Sequence, residues 1–136
     1  MTQSDGFDLA NYYRQIQKQG LLRTPEVAEH WSEAVLRTLS LNIDRRTKKR
    51  LAKALPEELA VDLKRTFWLL HFRDHNISRQ EFLKDVANRS GNTDSDFARN
   101  PIRAVFHEVK ACAGDDVSDA VSDSLAPEIS RLWQEA

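Results

Sequence analysis

Displaced against itself by seventy positions, the 136-residue chain keeps its apolar pattern without a gap from residue 12 to residue 63. Tyr12 falls on Phe82, Ile16 on Val86, and Val27 on Phe97. Ala34, Val35 and Leu36 fall on Ala104, Val105 and Phe106, and Leu39 on Val109. Further along, Leu51 meets Val121, Leu55 meets Leu125, Leu59 meets Ile129 and Leu63 meets Trp133. Identity is low, yet apolar character persists where a helix would bury it, as in a duplicated packing unit. The pattern predicts an all-α fold of two tandem four-helix repeats, residues 8–70 and 78–134, packed into one compact helical domain.

Each half divides at capping and breaking residues. The first helix is expected from about Asp8 to Lys18 and again from Arg79 to Asn88. Ser78 with Glu81 three residues on has the form of a capping box. The second begins after Thr24, with Pro25 where a missing N–H costs nothing; Asp94 occupies the matching place. Val27, Trp31, Ala34, Val35, Thr38 and Leu39 give that helix a broad inward stripe. In its counterpart, Pro101 either bends the helix or marks a later start capped by Asn100. Short third helices follow, Arg45–Ala54 behind Asp44 and Asp116–Ser124. Fourth helices start at Pro56, running to about Leu70, and at Pro127. No alternating stretch is long enough for a strand. Helices this short are marginal alone, so packing of the halves must supply most of their stability.

The features "EAVLRTLSLNI", "ALPEEL", "FW", "SRQEFLKDVANRSG" and "LAPEISRLW" occur in that order. In them the chain resembles the bacterial family known as domain of unknown function 2267, over about Leu9 to Trp133. The inter-repeat segment "LLHFRDHNI" departs from the shorter, Trp- and Pro-containing passage of relatives. The resemblance implies a helical repeat fold and carries no catalytic residues over to this chain.

Composition narrows the function classes. Hydrophobic residues make up 40% and charged residues 30%, with four Gly and four Pro, which suits a solvated helical protein. A net charge of −1 gives no whole-molecule drive toward nucleic acid or anionic membrane. The longest apolar run, "FWLL" at Phe67–Leu70, falls far short of a membrane span. The opening "MTQSDGFDL" lacks the basic and apolar regions of a secretory signal. Cys112 is the single cysteine, which suits a reducing compartment. A cytoplasmic protein with no cofactor is expected.

Candidate chemistry is sparse. His71, Asp74 and His75 could ligate a transition metal if the helix continues, but "HFRDH" lacks the Glu that serves as base in HExxH. A linker surface or a helix C-terminal cap is the expected reading of these residues. His30 and His107 have no acidic or nucleophilic partner at helical spacing that sets them apart from ordinary surface residues. Cys112 is either a thiol activated by a basic neighbour or a small buried hydrophobe. Glu57 with Glu58, and Asp115 with Asp116, stand at helix starts, where the dipole favours them. "GNTDSD" has too few parts for a phosphate cradle.

The charge pattern is sharper. In "NIDRRTKKRLAKALPEEL", Arg45, Arg46, Lys48, Lys49, Arg50 and Lys53 crowd nine positions, and residues 44–53 sum to +5. Their seventy-residue counterparts, residues 114–123, sum to −4 through Asp115, Asp116, Asp119 and Asp123. One packing unit thus carries two opposite surfaces. With Leu51 and Leu55 pointing inward, the charges must point out. The expected role is non-enzymatic protein interaction or scaffolding, through a protein partner or self-association. Phosphate contact to nucleic acid by Arg45–Lys53 is the first alternative, and metal-dependent activity through His71 and His75 the second.

Overall fold

The computed structural model describes residues 7–64, 77–91 and 94–136. Among them are eight helices and no strand: α1 (Leu9–Gly20), α2 (Pro25–Leu41), α3 (Arg45–Ala54), α4 (Glu57–Lys64), α5 (Arg79–Ser90), α6 (Arg99–Ala113), α7 (Asp115–Ser124) and α8 (Pro127–Glu135). The all-α expectation holds. The bounds of α1, α3 and α4 recur in α5, α7 and α8 at the seventy-residue displacement, at both ends for the first two pairs and at the start for the third.

Local chemistry explains most helix ends. Asp8 accepts a hydrogen bond from the Asn11 N–H at 3.1 Å, Thr24 from Val27 at 3.2 Å and Asp44 from Thr47 at 2.7 Å. Each satisfies an orphan donor of a first turn. Ser78 and Glu81 form the reciprocal capping box, both bonds 3.1 Å. One expectation needs correction. Asp94 caps only an irregular turn, accepting from Asp96 at 3.0 Å and Phe97 at 3.4 Å, and α6 starts later, at Arg99. Pro101 neither bends α6 nor follows an Asn100 cap; it sits in the first turn. Having no N–H, it cannot take the Phe97 carbonyl, which instead accepts from Asn100 at 3.3 Å.

α1 and α5 end alike but with different residues. Leu21 closes α1 in the left-handed region (φ 58°), with its N–H and that of Leu22 returning to Lys18 and Gln17. The seventy-residue counterpart is Gly91, at φ 82°. A Cβ at positive φ costs about 1–2 kcal/mol, and the Leu21 side chain is 73% exposed, so it recovers little by packing. Leu21→Gly is therefore expected to raise the stability by about 1 kcal/mol. Urea unfolding checks it; an unchanged or lower midpoint would show that the leucine contributes something else.

The helices of the two halves interlock. α1 packs on α6 as well as on its neighbour α2, and α5 packs on α2. Gly20 lets α1 approach closely, since a Cβ there would lie 3.3 Å from the Pro101 Cα. α2 and α6 pack together at the centre. One continuous core runs through both halves, with Ile16, Leu36, Leu39, Leu51, Leu59, Phe82, Phe106, Val109 and Ile129 fully buried. Trp31 meets Phe97 across the halves at 5.9 Å, and Phe106 stands edge-on to Trp133 at 5.0 Å. Offset aromatic pairs of this kind add to the area they bury.

Candidate docking surface

α3 is built almost wholly of strong helix formers, Arg, Lys, Leu and Ala, yet at ten residues it depends on its cap and its anchors to persist. Thr47, Leu51 and the following Leu55 are buried, and α3 rests on α4 and α7. With that face committed, Arg45, Arg46, Lys49, Arg50 and Lys53 are exposed. These five line a concavity of about 360 Å³. Arg45, Lys49 and Lys53 form one row at four-residue steps, and Arg46 with Arg50 form the other. The site is a groove between two cationic ridges of one helix surface.

Lys48 is the exception among the six expected surface residues. It is half-buried and does not line the groove. Burial first, and then the Arg45 guanidinium, lower its pKa from the usual lysine value. Sequence position alone groups it with the other five, but its helical angle turns it toward the flank of α3.

Asp115, Asp116, Asp119 and Asp123 are all exposed on α7, with Val121 and Ser118 facing inward. Asp115 and Asp116 occupy the first turn, where carboxylates complement the helix dipole. The sequence gives no sign that the basic and acidic helices are neighbours, yet α3 and α7 pack against each other. The N-terminus of α3 meets the last turn of α7. There the Asp44 N–H donates to the Ser124 hydroxyl at 2.8 Å, and that hydroxyl donates to the Asp44 carboxylate at 3.2 Å. Ser124 is the residue that reading the sequence misses, because its partner is eighty positions away. A cationic strip and an anionic strip thus adjoin on one face of the molecule. Among the described residues, no ion pair joins Lys49, Arg50 or Lys53 to these four aspartates.

The other candidates fare differently. His71, Asp74 and His75 lie outside the described residues. Among those described, no cluster of three or more His, Cys, Asp or Glu is placed to hold a metal. His30 and His107 are exposed on α2 and α6. Cys112 is half-buried, and burial, then Glu108, push its thiol pKa upward. That disfavours the thiolate a nucleophile requires. Tyr12 donates or accepts a buried 2.8 Å hydrogen bond with Ser32, and burial holds its phenol protonated far above the usual range. Glu57 and Glu58 sit in the first turn of α4, as their dipole role predicts. No helix among the described residues is long and apolar enough to cross a membrane.

An all-α domain, with eight helices and one interlocked core among its described residues and a charge-divided α3–α7 face, is the class these observations define. Residues 10–132 match the model of the family described as "Uncharacterized conserved protein (DUF2267)", and the chain belongs to that family. No curated protein matches the sequence.

Proposed function

We propose that this chain is a non-enzymatic protein-interaction module of the cytoplasm whose docking surface is the cationic groove of α3. The observation that carries this reading is the groove itself, with five exposed Arg and Lys side chains lining one concavity on a helix pinned from behind by Leu51. Such a surface suits carboxylates presented at regular spacing, which Arg and Lys meet with charge-assisted hydrogen bonds. The single cysteine accords with a reducing location. We also propose that residues 8–70 and 78–134 are two copies of one packing unit, in keeping with the recurring helix bounds.

Protein is favoured over nucleic acid for two reasons. The anionic strip of α7 adjoins the groove and would repel a phosphate backbone extended past it. The groove also lacks the exposed aromatics of a single-strand platform.

The test is fluorescence anisotropy with a labelled helical peptide bearing aspartates at every fourth position, beside duplex and single-stranded oligonucleotides, at low and physiological salt. The comparison protein is Lys49→Glu/Arg50→Glu, which takes residues 44–53 from +5 to +1. Peptide binding is expected to weaken by roughly 10-fold or more in this variant, since several exposed charge pairs of about 0.2–1 kcal/mol each are lost or reversed. Binding of the oligonucleotides with none of the peptide would transfer the groove to phosphate recognition.

A further inference from the structure

The α3 groove and the α7 ridge match in pitch, length and charge. The walls of the groove step by four residues, Arg45–Lys49–Lys53 and Arg46–Arg50. Asp115, Asp119 and Asp123 step by the same four residues along α7 and are all exposed. A rise of eight residues is about 12 Å, so ridge and groove have equal lengths. A ridge of side chains four apart seats in a groove of the same pitch on a facing helix. Short aspartates between long Arg and Lys side chains are then met from both walls. Within one molecule that seat cannot be taken. α3 and α7 pack side by side, with Leu51 and Val121 turned into the core and Asp44 bonded to Ser124, so both charged rows face outward.

We infer that the occupant of the α3 groove is the α7 ridge of a second copy of this chain. This rests on the interaction reading above and names its partner. A foreign acidic partner would use one strip and leave the other unmatched, whereas a second copy uses both. A two-fold axis running along the helix pair sets α3 of each copy on α7 of the other. A two-fold axis across the pair sets like on like and is repelled. The contact is isologous and closes at a dimer.

Two ten-residue helices present roughly 15 Å by 20 Å, or about 300 Å² per partner. Stable interfaces bury about 800 Å² a side. Among the described residues, the exposed large hydrophobics are Leu21 and Val61, which lie on neither helix. The dimer is consequently weak, carried by charge, and lost as salt shortens the screening length.

Sedimentation velocity of the full chain tests this, from about 10 to about 500 µM protein and in about 20 and about 500 mM salt. Self-association is expected at low salt and absent at high salt. Two charge-reversed proteins sharpen the test. Arg46→Glu/Lys49→Glu/Arg50→Glu/Lys53→Glu takes residues 44–53 from +5 to −3, leaving both strips acidic. Asp115→Lys/Asp119→Lys/Asp123→Lys takes residues 114–123 from −4 to +2, leaving both strips basic. Each alone should dimerise at least ~10-fold more weakly than the natural chain, and an equimolar mixture should recover a heterodimer. Recovery in the mixture also shows that both variants are folded.

A natural chain that stays monomeric at low salt and the highest concentration overturns the inference. So does a dimer indifferent to either reversal. If the natural chain is monomeric while the aspartate peptide still binds α3, only the second copy fails and the docking surface stands. If both are absent, the interaction reading fails with it.

Discussion

Trp133→Ala is expected to cost about 3–5 kcal/mol of folding free energy, the range for truncating a large buried aromatic. Trp133 is 1% exposed and stands edge-on to Phe106 at 5.0 Å. Its indole N–H donates to the Ser118 carbonyl at 2.9 Å, tying α8 to α7, and Lys110 lies 5.9 Å from its ring and donates to its carbonyl. Truncation opens a cavity and takes the second donor from the Ser118 carbonyl, which keeps its helical partner within α7. Ser118 already has a buried hydroxyl without a partner among the described groups, so losing a further hydrogen bond there adds to the cost of the cavity. Against a typical total of about 5–15 kcal/mol, the loss removes much of the stability. Trp133→Phe separates the two contributions, since it keeps most of the volume and loses the hydrogen bond; it should cost about 1–2 kcal/mol. Urea denaturation with an unchanged slope reads both values. A loss below about 1 kcal/mol for the alanine variant would mean that α8 is not integral to the core.

Leu51→Ala should cost about 2–5 kcal/mol, and its effect should concentrate in α3. Leu51 is fully buried and is the only large apolar side chain within that helix. Six cations surround it, and like charges three or four positions apart oppose the helix by a few tenths of a kcal/mol each. Isolated helices of this length do not persist in water, so α3 depends on its anchor more than α5 does, which has four buried residues and a capping box. Amide hydrogen exchange at low denaturant is the decisive measurement. Protection should fall further in residues 45–54 than in 79–90, and aspartate-peptide binding should weaken with it. Equal loss of protection in both helices would show that Leu51 supports the whole core rather than the groove.

These two residues illustrate what could be read ahead of the structure. Leu51 and Trp133 occupy inward positions of a period that runs through both halves, and their burial follows from helical geometry. Helix starts were legible wherever a side chain could cap them, as at Asp8, Thr24, Asp44 and Ser78. The start of α6 was not, because Asp94 has the right chemistry for a cap while Pro101, seven residues on, removes the donor that a helix from that point would need. The left-handed end of α1 was hidden too, since leucine carries no label for positive φ where glycine does at Gly91.

The docking surface divides in the same way. Two helices of opposite charge follow from the residues themselves, because charge and helical periodicity are properties of a few neighbouring positions. Five of the six cations share the groove; Lys48 leaves it only because packing of the α3 flank sets which angles are covered. Sequence by itself determined the helices, their inward faces and the sign of each exposed strip. The tertiary structure alone decided that α1 crosses to α6, that α5 docks on α2, and that α3 and α7 lie side by side on one face. The reason is physical: a helix is closed by hydrogen bonds four residues apart, whereas its packing partner is chosen by apolar surfaces that are chemically alike and are distinguished only by shape once the chain has folded.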